Sequence, residues 1–355
     1  MLTDIRLQNY RSYKDESFEF SKGVNIIVGP NASGKTNLLE SILINCGESS
    51  YRGKDIELIS YNSEWAKIDC HTKEDIDRTI KLVKNADNLE KTYVIGGQEL
   101  KRISLQKTIP AVLFEPNHLN ILTESPDSRR NFLDDLLEKI VPGFKETRKQ
   151  YRRVLYQRNT LLKTGYSNAS KNIFVWNLRL SDLGENIYSH RIKLIELINK
   201  SATEIYNSLA QKKYKIEFNY VTKINPKNYS SNLIKKLEDS IKTDCERGFT
   251  SYGPHRDDFS VLINNHEAEE SASRGEMRTL MLVCKVIEMR IIEESRGVKP
   301  IILLDDVFSE LDGSRRKALT SFLNDYQSFI TTTDADIILH HFIDKANIIA
   351  LNKTN

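Results

Sequence analysis

Long apolar runs are missing from this 355-residue chain, and none approaches the ~18–20 residues that a membrane-spanning helix needs. Cysteine is scarce as well. Cys46, Cys70, Cys245 and Cys284 lie far apart with no C-x-x-C pair, so reduced, partly buried thiols are expected rather than a disulfide frame or a zinc site. The opening residues hold no basic segment followed by an apolar stretch, and no secretory signal is expected. Charged residues are plentiful but balanced, with a net of +3, which excludes a chain basic throughout and allows a localised basic patch. Internal repeats and low-complexity segments are absent too. What is left is a cytoplasmic protein with no membrane partner. It is long enough to bury a sizeable core in two domains, or in one with a large insertion.

What is present starts with a complete G-x-x-x-x-G-K-T phosphate loop, Gly29-Pro30-Asn31-Ala32-Ser33-Gly34-Lys35-Thr36. The apolar run 24–28 before it reads as a strand, and Asn37-Leu38-Leu39-Glu40-Ser41-Ile42 after it reads as a helix. Backbone N–H groups at such a helix start point inward and cradle phosphates. Lys35 is placed to reach the β- and γ-phosphates of ATP, and the Thr36 hydroxyl to ligate Mg²⁺.

The first third of the chain is strand-rich. Residues 2–9 alternate, and 66–71, 79–83 and 92–95 follow, with Gly96-Gly97 as a turn and 111–114 as a short apolar run. Ser125-Pro126 supplies an N-cap and a first-turn proline for a helix to about residue 138. One helical segment covers 144–163, with a break at Gly165 and the polar Ser167-Asn168-Ala169-Ser170. A stripe of Leu183, Ile187, His190, Leu194, Leu197, Ala202, Ile205 and Leu209 marks a second. Two such helices suit a short antiparallel hairpin, in which His190 is a packing residue rather than a ligand. After 215–221 and a polar connection come strand 259–263, helix 276–294, strand 301–304, helix 314–324 and strand 328–331. The expected fold is α/β: a P-loop sheet with flanking helices over 1–115 and 250–355, interrupted by a mainly helical lobe over 116–249.

Ile301-Ile302-Leu303-Leu304-Asp305-Asp306 is four apolar residues ending in two carboxylates. A buried parallel strand that delivers carboxylates at its C-terminal edge fits a Walker B element, because ligands bind at that edge in α/β sheets. Asp305 is then a Mg²⁺ holder, and Asp306, with Lys35, a catalytic candidate that orients the attacking water. Read alone, the segment is only a core strand and a polar turn.

The separation of Thr36 from Ile301 exceeds what a compact nucleotide kinase or small GTPase needs. A helical insertion between the halves of a nucleotide site is the architecture of the ATP-binding-cassette heads of chromosome-maintenance ATPases. Ser273-Arg274-Gly275-Glu276, just before a helix, resembles the cassette signature L-S-G-G-Q. A serine and a glycine at a helix start suit an anion through hydroxyl, free N–H groups and dipole. In that class the signature caps the γ-phosphate held by the partner subunit, so ATP is buried between two chains. Ser309-Glu310-Leu311-Asp312 stands where the class has its D-loop. Without this company, Ser273 reads as an ordinary N-cap.

Further segments run the length of the chain. They are Asn9-Tyr10-Arg11-Ser12-Tyr13, Ser125-Pro126-Asp127-Ser128-Arg129-Arg130-Asn131-Phe132-Leu133-Asp134 and Gly253-Pro254-His255-Arg256-Asp257-Asp258. On these the chain resembles the RecF family of bacterial recombination-mediator ATPases. The resemblance implies an ATP-dependent homodimer that binds double-stranded or gapped DNA, works with RecO and RecR, and helps to load RecA at gaps. It also places Arg11 and Asn37 in the ATP-binding set. Asn117-His118 depart from the acidic residues usual after Pro116, and Ala272 from the usual signature leucine. Asp306 is one methylene shorter than the glutamate of transporters. Thr333 stands at the place of the transporter switch histidine, and a neutral hydroxyl there implies slow turnover.

For DNA, Lys145, Arg148, Lys149, Arg152, Arg153, Arg158 and Lys163 face one acid, Glu146, with Tyr151 and Tyr156 interleaved. Arg148, Lys149 and Arg152 are expected on one side of the helix, suited to phosphate contacts, although charge runs are usually solvated faces. Lys212-Lys213 and Lys235-Lys236 are weaker candidates. The alternatives are a transporter cassette subunit, disfavoured by the insertion and by Thr333, and a chromosome-condensation head, whose arms would need a longer helical stretch.

Overall fold

In the computed structural model, which describes residues 1–74, 76–85, 88–115, 121–333 and 346–352, the chain divides into two units. One is Met1–His118 with Glu288–Asn355, and the other is Leu119–Ile287. The first begins with β1 (Leu2–Tyr10), β2 (Tyr13–Glu19), β3 (Val24–Val28) and helix α1 (Lys35–Cys46). Then come β4 (Trp65–Thr72), β5 (Asp77–Lys84), β6 (Leu89–Ile95), β7 (Gln98–Leu100) and β8 (Ala111–Phe114). Six of these strands form an antiparallel sheet in the order β2-β1-β4-β5-β6-β7. Arg78, Ile80 and Leu82 alternate inward along β5 while Asp77 and Lys81 face out, as one solvated face requires.

The second unit opens with α2 (Pro126–Ile140), whose N-cap Ser125 accepts the Ser128 N–H. Helices α3 (Phe144–Leu162) and α5 (Phe174–Ala210) pack against each other. His190 is half-buried, with its ring edge-on to Phe144 at 5.6 Å. Gly165 turns the chain at φ +87°, but the polar stretch after it is helical, forming α4 (Tyr166–Asn172). After β9 (Ile216–Val221), the polar connection holds two helices, α6 (Tyr229–Asp239) and α7 (Ile241–Arg247). Next are β10 (Asp258–Ile263), β11 (His266–Glu267), α8 (Ala268–Ser271) and α9 (Arg274–Arg296). The expected lobe boundary at 249 differs from this division. β10 pairs with β9 from Asp258↔Val221 to Ile263↔Ile216, which holds the segment after 249 in the second unit as far as α9.

The first unit resumes at Glu288 within α9 and continues with β12 (Ile301–Asp305), α10 (Gly313–Leu323), β13 (Ser328–Thr332) and β14 (Asn347–Ala350). These strands join β3 and β8 in an all-parallel sheet of order β14-β3-β13-β12-β8. Its central strands are buried along almost their whole length because both faces are covered, and β12 carries four apolar residues in a row before Asp305. Helix α1 is buried from Leu38 to Cys46, and its Leu38, Leu39 and Ile42 share one core with residues of both sheets. Each such side chain contributes about 1.5–3 kcal/mol on burial. That packing fixes the start of α1, and so the phosphate loop, against the C-terminal edge of the parallel sheet.

Candidate nucleotide site

The phosphate loop links β3 to α1, and its glycines are where no other residue fits. A Cβ on Gly29 would lie 2.6 Å from the Leu351 carbonyl oxygen, and Gly34 adopts φ +99° with Tyr13 Oη against it. Gly34 is also the N-cap of α1 and offers no side-chain cap, so the first-turn N–H groups of Lys35, Thr36 and Asn37 have no intrahelical partner. Inside the loop the buried Ser33 Oγ has no hydrogen-bond partner among the described residues. Lys35 Nζ donates to the carbonyls of Gly29 (2.7 Å) and Pro30 (2.9 Å). Burial lowers its pKa, against the pull of Asp306 and Asp305. A cradle of unpaired donors with one cation at its mouth fits a triphosphate.

The second half comes from β12. Thr36 Oγ1 donates to Asp305 Oδ1 at 3.1 Å, bringing the two expected Mg²⁺ ligands together. Hard oxygen donors of this kind suit that ion. Thr331 Oγ1 also donates to Asp305 Oδ1 (2.8 Å) and accepts the Asp306 N–H (3.0 Å), so β13 steadies both carboxylate residues. Asp306 turns the chain at φ +54°, and its side chain is exposed. Ser309 Oγ lies 2.6 Å from the Asp306 carbonyl and 3.0 Å from its Oδ1, which ties the D-loop segment to that carboxylate. Asp312 caps α10 by accepting the Arg315 N–H at 2.9 Å. Thr333 is exposed just past β13, on the edge that carries the loop and Asp305. Asn117 and His118 lie outside the described residues.

Three contributors escaped the sequence reading. Tyr51 donates to Asp305 Oδ2 at 2.9 Å, and burial together with Asp305 pushes its pKa up. Arg52 Nη1 donates to Asn37 Oδ1 at 2.7 Å. Glu40 is fully buried and accepts from Arg11 twice (2.9 Å each), from Ser50 (2.6 Å) and from Tyr10 (3.2 Å). Arg11 is therefore held by α1. No local motif marks these residues, because their partners are distant in sequence. A cleft of about 640 Å³ opens beside them, bordered by Arg11, Asn37, Arg52 and Tyr61.

In the second unit Ser273 and Glu276 form a reciprocal capping box at the start of α9. Glu276 Oε2 accepts from Ser273 N (3.0 Å) and Ser273 Oγ (2.8 Å), and the Glu276 N–H donates to Ser273 Oγ (3.3 Å). Arg274 is exposed and Gly275 half-buried. The two sequence blocks that carried the resemblance most specifically bind each other. Arg129 donates to both oxygens of Asp258 (2.8 and 2.7 Å), and Arg130 donates to the Asp257 carbonyl (2.6 Å). Arg191 grips both oxygens of Asp134 and the Pro254 carbonyl. His255 accepts from or donates to Tyr151 at 2.7 Å, and burial lowers its pKa to about 3.

Two basic candidates, Arg148 and Arg158, are corrected by the structure. Arg148 is buried and ion-paired with Asp134, Asp135 and Glu138 of α2, so it is not free for phosphate. It falls on the inward stripe of Phe144, Tyr151, Val154 and Leu162, a stripe that also buries Arg158. The outward face of α3 carries Lys145, Lys149, Arg152, Arg153 and Tyr156, all exposed, and the exposed Lys163 follows at its C-cap.

A P-loop site at the edge of a parallel sheet, with a mainly helical unit inserted between its halves, defines an ATPase head of the chromosome-maintenance type. The family model for the RecF/RecN/SMC N terminal domain matches residues 1–351. A DNA replication and repair protein RecF of Clostridium novyi is 37% identical over 338 residues, covering 94% of this chain and 92% of that one. The chain belongs to the RecF family. Two solved structures of the recombination mediator protein RecF in the RecFOR pathway are also similar. RecF-ATPrS gives a TM-score of 0.86 at 29% identity, covering 100% of this chain and 98% of that one. RecF-ATP gives 0.82 at 30%, covering 94% and 92%. Among the described residues no helix is long and apolar enough to cross a membrane.

Proposed function

We propose that this protein is a DNA-binding ATPase of gap repair in which ATP acts mainly as a dimerisation ligand. The observation that carries the reading is the 3.1 Å hydrogen bond from Thr36 to Asp305, which joins two half-motifs remote in sequence into one site. Lys35, released from the Gly29 and Pro30 carbonyls, binds the β- and γ-phosphates, and the N–H groups of 34–37 cradle them. The cleft bordered by Arg11, Asn37, Arg52 and Tyr61 offers room for the nucleoside. Thr36 and Asp305 would hold Mg²⁺, which when bound neutralises charge on the phosphates. Asp306 orients the attacking water, with Ser309 fixing its carboxylate.

Ser273 and Gly275 of a second copy complete the site from across the dimer. Each of two ATP molecules then contacts both chains, and slow hydrolysis opens the clamp and releases DNA. Partnership with RecO and RecR, and loading of RecA, follow from family membership and belong to the same proposal. The Mg²⁺ requirement and the division into an ATPase head with an inserted lobe are part of it too.

Ser273→Arg should leave nucleotide binding within about twofold of wild type while abolishing ATP-dependent dimerisation, because a long side chain obstructs a close trans contact. Light scattering with and without ATP, over a salt series with gapped DNA, reads both. A wild-type chain that stays monomeric with ATP, or a variant that dimerises normally, would end the clamp reading. Exchanging Lys149, Arg152 and Arg153 together for alanine should weaken binding to all duplex sequences alike. The slope of log affinity against log salt should fall by about 0.9 per lost phosphate contact, and an unchanged slope moves the DNA site elsewhere.

A further inference from the structure

Lys212 ends the turn after α5, where Gln211 stands at φ +52°. Its ammonium lies 4.9 Å from the centre of the Tyr214 ring, and that ring stacks on buried Tyr206 at 6.0 Å. The Tyr214 backbone is clamped in turn by Asn207, through its N–H (2.8 Å) and its carbonyl (3.1 Å). A lysine placed with this much support has a definite partner: Nζ donates to Glu276 Oε1 at 3.0 Å. The two oxygens of Glu276 are thus divided. Oε2 takes both Ser273 donors and Oε1 takes Lys212.

The signature serine is therefore already satisfied by an anion from its own chain. Both donors needed for a partner's γ-phosphate are spent on the Glu276 carboxylate. That carboxylate also stands in the path of a triphosphate of the same sign. We infer that Lys212 is a positioning residue for the trans γ-phosphate, acting through Glu276. When the partner's ATP arrives, Glu276 yields Ser273 to the phosphate and stays with its charge matched on Lys212. Without Lys212 the displaced carboxylate would face the phosphates unpaired. The contacts to Ser273 and Lys212 hold the Glu276 pKa down at about 2, so this charge persists at every working pH.

The inference rests on the clamp reading, and the test separates the two. The full-length chain is titrated with ATP and Mg²⁺, dimer formation is followed by sedimentation, and thermal unfolding is measured alongside. Lys212→Met should raise the ATP concentration for half-maximal dimerisation by about fivefold to tenfold, a coupling usual for charges in one network, and Lys212→Arg should restore it. Glu276→Gln keeps the capping box, which accepts glutamine as well, and should lower that concentration below wild type. In the Glu276→Gln background, Lys212→Met should change nothing further. A Lys212→Met defect that persists undiminished there means that the lysine meets the phosphate directly, and overturns the inference. A midpoint unmoved in Lys212→Met, with only the melting temperature lowered, reduces the pair to a helix cap and overturns it as well. Failure of the wild type to dimerise, or normal dimerisation of Ser273→Arg, removes the clamp itself.

Discussion

Lys35→Met should cost the protein its ATP binding. In the structure the ammonium rests on two loop carbonyls, so it is already aimed across the mouth of the cradle. Moving it from carbonyls to phosphates exchanges neutral acceptors for charged ones. Charge-assisted hydrogen bonds contribute about 1.5–3 kcal/mol each, so losing two lowers affinity by about two to four powers of ten. Methionine keeps the length and the apolar stem, and Lys35 is only partly buried, so the fold should survive. Equilibrium binding of a fluorescent ATP analogue, with circular dichroism as a fold control, measures the effect. Affinity within threefold of wild type would show that the loop is not the phosphate site.

Asp244→Ala should be the most damaging single change to stability. Arg158 has no exposed surface, and its guanidinium donates to Asn177 (2.8 Å), Asp244 (2.9 Å), Thr250 (2.7 Å) and the Leu237 carbonyl (3.1 Å). Asp244 is its one ion-pair partner among the described residues and is equally buried. Removing the carboxylate strands a cation in the interior, a change that costs about 3–5 kcal/mol against a typical total of 5–15. Trp176 adjoins Asn177 in sequence, so its fluorescence in a urea titration reports on this region. The double variant Arg158→Met/Asp244→Ala should be more stable than Asp244→Ala alone, because it removes the stranded charge. If the double variant is less stable, the loss comes from packing rather than charge.

These two sites also mark how far the sequence could be read. The phosphate loop and the Asp305-Asp306 strand are local strings whose chemistry is set within a few residues, and the structure brings them together. Arg158 and Arg148 went the other way. As a string, α3 is a run of cations, and only the spacing of Phe144, Tyr151, Val154 and Leu162 tells which of them turn inward. Applying that stripe first would have set Arg148 and Arg158 apart from Lys149, Arg152 and Arg153. Helix α6 carried a similar signal in Tyr229, Leu233 and Leu237, hidden by the polar residues between them. Tyr51, Arg52 and Glu40 gave no signal of that kind, since what they do depends on partners that only folding supplies. Strand order was equally out of reach. Nothing local says that β13 inserts between the loop strand and the Asp305 strand.

That insertion affects how the molecule is made. β3 has two neighbours in its sheet, β13 and β14, and its register partner for Val24 is Ser328. At about 5–20 residues per second, synthesis separates the two by roughly 15–60 s. Throughout that interval the strand bearing the phosphate loop has no edge to pair with. The second unit, whose sheet joins β9 to β10, needs no later strand for that pairing. A nascent chain can thus finish its middle before its beginning, and gains a nucleotide site only once the segment that completes the sheet has left the ribosome.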